Sequence, residues 1–141
     1  MRLGTTYICV RDIDKSLDFY CKLLKQEPSY ANDNRWITFN VGNTLSLYNK
    51  EYDKQLLSSK DKKEHFNEAY MSDFNNEKEA VNTIMILNFE VDHLKEEYER
   101  VKALNIGQVS ELMYVNVHAP YWYFNITDPD GNILEITGKY E

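Results

Sequence analysis

Covalent restraints and chain breakers are scarce in this sequence: two cysteines, three prolines and five glycines are spread over 141 residues. Two thiols cannot make a disulfide framework. Cys9 in a strand and Cys21 in the helix after it read as buried reduced thiols rather than a bridge or a metal pair. No apolar run reaches the length of a signal peptide or a membrane span, so the expected location is the cytoplasm. Basic charge is also short, with 16 Lys and Arg against 23 Asp and Glu and a net charge of −7. Without a Lys/Arg stripe to neutralise phosphates, the chain has no basis for binding nucleic acid or an anionic membrane surface. The three histidines, His65, His93 and His118, are not spaced as a ligand pair on a helix or hairpin.

Aromatic residues, by contrast, are plentiful: 11 Tyr and two Trp. The length suits one domain that buries roughly two thirds of its unfolded surface. The stretch from Thr127 to Thr137 organises it. Asp128, Pro129, Asp130 and Gly131 leave a tight turn as the cheap local reading, because Pro fixes φ and Gly permits a positive φ. Tyr121 to Thr127 and Ile133 to Thr137 then form an antiparallel hairpin.

A second copy of this pattern lies upstream. Trp36 to Val41, Gly42-Asn43 and Thr44 to Tyr48 repeat strand, turn and strand. Tyr7 to Asp12 and Leu87 to Asp92 each lead into an amphipathic helix. Aligning the turns sets Ser46 against Glu135, and aligning Val10 with Val91 sets Thr5 against Ile86. The chain thus reads as two copies of strand, helix and three strands, an α+β fold. Module one spans residues 1–48, an insert 49–81, and module two 82–141.

In the first strand Thr6, Ile8 and Val10 are expected to face the helices. Asp12 or Asp14 caps the next helix, whose stripe is Ile13, Leu17, Tyr20, Cys21 and Leu24. The insert is polar but carries Tyr52, Leu56, Leu57, Phe66, Tyr70, Met71 and Phe74. Part of it is expected to order as a helix from near Asp61 to Met71; a lid, a dimer arm and a mobile surface segment stay open as its role. The second helix places Leu94, Tyr98, Val101 and Leu104 on one face, and Gly107 fits a stop just beyond it.

The runs Val10 to Tyr20 and Asp128 to Glu135, together with the repeat, resemble the vicinal oxygen chelate superfamily, the glyoxalase, bleomycin-resistance and extradiol-dioxygenase group. The resemblance implies paired βαβββ modules forming a curved eight-stranded mixed sheet around a cavity, with helices on the convex face. It also implies a homodimer, since members often build cavities across swapped modules. Enzymes of the group hold a divalent metal with His and Glu from the first and last strands of each module. The matching positions here are Thr5, Ser46, Ile86 and Glu135. Only the carboxylate suits a divalent ion, whereas a catalytic zinc needs three protein ligands. No metal or other cofactor is therefore expected.

If Glu135 faces the implied cavity, strand alternation sends Leu134 and Ile136 under the helices, with Trp122, Phe124 and Ile126 beside them in the core. It lines the cavity with Thr5, Tyr7, Trp36, Thr38, Ser46, Tyr48, Asn88, Tyr121, Tyr123, Asn125 and Glu135. Such a wall suits a small organic ligand: rings stack on Tyr and Trp, amides and hydroxyls orient it, and Glu135 meets a cationic group. The expected function is metal-free binding or sequestration of a cationic aromatic compound. Two other classes stay open. One is a lyase, isomerase or dioxygenase of the group, either metal-free with Glu135 as base or metal-dependent through other ligands, with His118 at the cavity mouth as a second candidate. The other is a protein-interaction module that uses the insert.

Overall fold

The computed structural model describes residues 5–76, 85–116 and 120–141, with the backbone alone at 73, 76, 115, 116, 120 and 121. By compactness the chain divides into two units, residues 1–17 with 26–80 and residues 18–25 with 81–141. His118 lies outside the described residues, as does the side chain of Tyr121.

The first unit contains β1 (Thr6–Val10), the start of α1 (Ile13–Leu24), β2 (Tyr30–Asn32), β3 (Trp36–Val41) and β4 (Asn43–Asn49). The insert belongs to it and folds as α2 (Lys50–Leu57), α3 (Lys62–His65) and α4 (Glu68–Asn76). The second unit contains the rest of α1 and β5 (Leu87–Val91), α5 (Leu94–Leu104), β6 (Met113–Asn116), β7 (Pro120–Thr127) and β8 (Ile133–Gly138). Strand order is β1-β4-β3-β2 in one sheet and β5-β8-β7-β6 in the other. In each, the first strand runs parallel to the last and the remaining pairs are antiparallel. The βαβββ repeat is therefore present as an α+β fold, and its eight strands pair as two four-stranded mixed sheets rather than one continuous ladder.

Local chemistry accounts for the elements. Gly42 and Gly131 hold the two hairpin turns at φ +88° and +89°, where L side chains are strained. Asp12 caps α1 by accepting from the Lys15 amide at 3.1 Å. The stripe buried on α1 is Ile13, Ser16, Phe19, Tyr20 and Leu23, whereas Leu17, Cys21 and Leu24 are only half-buried. The buried stripe is thus turned by part of a helical turn from the expected one, with Phe19 fully enclosed and close to Gly107. Cys9 is exposed and Cys21 half-buried, contrary to the expectation that both are buried.

The insert corrects its expected form. The single helix from Asp61 to Met71 is broken at Phe66 and Asn67, and Asp61 makes no side-chain cap. Asn67 restarts the chain as α4 by accepting from the Tyr70 amide at 2.9 Å.

Alternation in the strands sorts side chains as expected. Val10, Ile37, Phe39, Leu45 and Leu47 are buried in the first unit, and Phe124, Ile126, Leu134 and Ile136 in the second. Leu94, Tyr98 and Val101 of α5 are buried too, with the Tyr98 ring 5.2 Å from Phe124. Trp122 departs from the expected core position. It is half-buried at the sheet margin, stacked on Tyr140 at 4.2 Å and tilted against Tyr114 at 4.8 Å.

Gly107 does not stop α5; Asn105 does, in the left-handed conformation at φ +50°. Gly107 is needed for a close approach, since a Cβ there would stand 2.3 Å from the Thr127 carbonyl oxygen and 3.2 Å from Phe19. Gly107→Ala is expected to cost about 1–3 kcal/mol through overpacking, read as a lower Tm with an unchanged far-UV spectrum.

Candidate functional site

Each sheet presents one face that is not apolar. In the first unit that face carries Thr5, Tyr7, Trp36, Thr38, Ser46 and Tyr48. The register sets Tyr7 and Thr38 on either side of Ser46. Their hydroxyls form a chain: Thr5 Oγ1 lies 3.3 Å from Ser46 Oγ, Ser46 Oγ lies 2.8 Å from Thr38 Oγ1, and Trp36 Nε1 donates to Thr38 Oγ1 at 3.1 Å. Thr5 also donates to the Thr44 carbonyl at 3.1 Å. The rings beside this chain pack on one another, with centroids 5.2 Å apart for Tyr7 and Trp36 and 5.9 Å for Trp36 and Tyr48. Tyr7 keeps one side open, being 54% exposed.

The insert is anchored to this face by a side chain that the sequence reading did not single out. Asp53 of α2 is fully buried and accepts from Arg35 Nε at 2.6 Å, Arg35 Nη2 at 2.8 Å, Tyr48 at 2.7 Å and Tyr70 of α4 at 2.6 Å. The Tyr48 and Tyr70 hydroxyls are 2.8 Å apart. Burial pushes the Asp53 carboxyl up, but the bonds from Arg35, Tyr70 and Tyr48 outweigh it and hold it below the usual carboxylate range. Burial, then the bonds to Tyr70 and Asp53, push the Tyr48 phenol far above its ordinary range, so it remains a neutral donor. The Arg35 guanidinium also stands 5.4 Å over the Tyr48 ring. The cation–π position on Tyr48 is thus taken by the protein's own arginine.

Helix α2 starts where it does because Asn49 caps it, accepting from the Glu51 amide at 3.2 Å, and this aims Asp53 inward one turn later. Arg35 immediately before β3 and Asp53 in a polar insert carry no local signal of their partnership. An open cleft of about 560 Å3 in this unit is lined by Asp33, Asn34, Asn49, Tyr52 and Gln55, none of them a residue expected in the wall.

In the second unit the corresponding face carries Asn88, Glu90, Tyr123, Asn125, Ile133, Glu135 and Thr137. Glu135 is flanked in register by Asn88 and Asn125. Asn88 Nδ2 donates to Glu135 Oε1 at 2.7 Å, which fixes the carboxylate. Thr137 Oγ1 turns away to the Trp122 carbonyl at 2.9 Å. Asn125 has its backbone N–H bonded to Ser110 Oγ at 2.9 Å, but its side-chain Oδ1 is buried without a hydrogen-bond partner.

The comparisons agree with this architecture. A family model described as the Glyoxalase/Bleomycin resistance protein/Dioxygenase superfamily matches residues 2–136. The chain belongs to this superfamily. No curated protein matches the sequence. Among solved structures, a glyoxalase-related enzyme from Fulvimarina pelagi is 18% identical with a TM-score of 0.68, over 99% of this chain and 88% of that one. A glyoxalase/bleomycin resistance protein/dioxygenase family enzyme from Burkholderia phytofirmans PsJN is 16% identical with a TM-score of 0.65, over 98% of both chains. A lactoylglutathione lyase from Agrobacterium tumefaciens is 18% identical with a TM-score of 0.62, over 97% of this chain and 92% of that one. At such identities the likeness is one of fold.

The four positions that the resemblance sets against the superfamily's metal ligands carry one charged donor between them. In the first unit Thr5 and Ser46 are neutral hydroxyls already engaged with each other, with Thr38 and with a backbone carbonyl. In the second unit Ile86 offers no donor and is 49% exposed, which leaves Glu135 as the one carboxylate among these four positions. Among the described residues no three His, Cys, Asp or Glu side chains are grouped to hold a metal. His65 and His93 are exposed, on α3 and before α5. No helix among the described residues is long and apolar enough to cross a membrane.

Proposed function

We propose that this superfamily member binds a small organic molecule without a metal and holds it unchanged. Glu135 meets the ligand's cationic end on the face of module two. The observation that supports this best is the row on the module-two face, where the Asn88 and Asn125 side chains flank the Glu135 carboxylate in register and Asn88 holds it at 2.7 Å. Such groups orient and retain a ligand but provide no Lewis acid. The cationic group is assigned to module two because its face carries the Glu135 carboxylate held by Asn88, whereas the cation position over Tyr48 in module one is taken by Arg35.

The test has two parts. Protein purified without chelator and then offered zinc, manganese or iron(II) is expected to retain well under one equivalent of metal. Benzamidine, an aromatic cation, is expected to give a saturable change in tryptophan fluorescence, and Glu135→Gln to weaken it roughly tenfold, about 1.4 kcal/mol. One tightly held metal equivalent, or no saturable signal with any aromatic cation, overturns the reading.

A further inference from the structure

The Asn125 side chain is the one member of the module-two row that the fold does not satisfy. In module one the equivalent row is Tyr7, Ser46 and Thr38, and it closes on itself through the 2.8 Å contact between Ser46 and Thr38. In module two the row is Asn88, Glu135 and Asn125. Asn88 is bonded to Glu135, but Asn125 Oδ1 is buried and no donor among the described residues reaches it. A buried amide oxygen without a donor costs about as much as a lost hydrogen bond, and such groups are rare in folded proteins. The position does not demand it, because β7 is a central strand between β8 and β6 where an apolar side chain would sit well.

We infer that Asn125 is a specificity-determining residue whose Oδ1 accepts a hydrogen bond from an N–H of the ligand. The recognised group is an amide, amidine or amine nitrogen that bears hydrogen. The neighbouring Glu135 carboxylate makes the surroundings of Oδ1 negative, which favours a donor there and disfavours a carbonyl or ether oxygen. This inference rests on the proposed binding role of the same face and adds the class of ligand group. A site built to hydrogen-bond an N–H discriminates strongly against an isostere that lacks it, because its own acceptor is then stranded.

The experiment compares benzamide with acetophenone, which replaces the amide NH2 by a methyl group of similar size and keeps the carbonyl. Both are titrated into wild-type protein and Asn125→Leu, and the Tm of the two proteins is measured without ligand. Benzamide is expected to bind wild type roughly tenfold more tightly than acetophenone, and the difference is expected to vanish in Asn125→Leu. The variant's Tm is expected to be equal to or above that of wild type, since an unsatisfied buried acceptor is removed. A Tm several degrees lower means the oxygen serves the fold, and overturns the inference. A preference for benzamide that persists in the variant, or equal binding of both compounds by wild type, overturns it while leaving the proposed binding by this face intact. If neither compound saturates and benzamidine does not either, both readings fall together.

Discussion

Replacing Asp53 by Ala is expected to lower stability by about 3 kcal/mol, the low end for breaking a buried ion pair, because the carboxylate is buried but the Arg35 guanidinium is one-third exposed. For a chain of this length that is a fall in Tm of roughly 10 °C. The magnitude follows from what is left behind. Arg35 keeps its charge with no counter-ion, and the Tyr48 and Tyr70 hydroxyls lose the carboxylate that both donate to. Arg35→Ala should cost a similar amount, because a fully buried carboxylate is then stranded. The double variant should cost clearly less than the sum, since it strands neither charge. Additive losses would mean that the two groups do not act as a pair.

The local consequence is as important as the global one. Hydrogen exchange over residues 50–76 should accelerate in Asp53→Ala more than exchange in β3 and β4, because α2 and α4 are held to the sheet through this carboxylate. Acid should have the same effect. The folded Asp53 pKa lies below its ordinary value of 3.8, so its contribution is complete above that value and is lost as pH falls through the lower, folded one. Release of the insert is therefore expected only below about pH 4. Release at pH 5 to 6 would mean another group controls it.

Asp128→Ala is the second large effect, expected at about 3 kcal/mol. The sequence marks Asp128 as a turn residue, but its carboxylate is only 5% exposed and does more than shape a turn. It accepts from the Asp130 amide at 2.9 Å, the Asn132 amide at 2.8 Å, Asn132 Nδ2 at 2.8 Å and the Tyr20 hydroxyl at 2.9 Å. Tyr20 is itself completely buried, and burial followed by the charge of Asp128 keeps its phenol protonated at any ordinary pH. Removing the carboxylate therefore takes away the acceptor to which the buried Tyr20 hydroxyl donates. Adding Tyr20→Phe to Asp128→Ala should recover about 1 kcal/mol, whereas Tyr20→Phe alone should cost about that much. Urea titrations of the four proteins decide it, and a double variant weaker than Asp128→Ala would show that the hydroxyl is satisfied elsewhere.

Much of the architecture was legible because it is written in short-range patterns. Strand alternation fixed which side of β3, β4, β7 and β8 is core: Phe39, Leu47, Phe124 and Ile136 are at or near zero exposure while Thr38, Tyr48, Asn125 and Glu135 lie on the other side. The two Gly-Asn turns announced equivalent hairpins, and both glycines have positive φ. The helical stripe of α5 was read correctly at Leu94, Tyr98 and Val101, with Leu104 only half-buried, whereas that of α1 was turned. Phe19 and Leu23 could equally have been placed outside by period alone, and contact with the second unit's core decided otherwise.

What the sequence determined by itself is the repeat, the α+β class, the polar make-up of one face in each module and the poverty of metal donors at Thr5, Ser46 and Ile86. The faces depend on residue type and on spacings of two to four positions, which a strand or helix converts directly into direction, and the repeat shows as the same short pattern met twice. What only the tertiary structure decided is which of those polar groups are already used. Arg35 and Asp53 are 18 residues apart, Tyr20 and Asp128 108 apart, and Asn88 and Glu135 47 apart. No local rule links such positions. Hydrogen-bond partners over those distances are set when sheets and helices pack, and that packing satisfies Asp53 and Asp128 fully and leaves the Asn125 oxygen waiting for a donor.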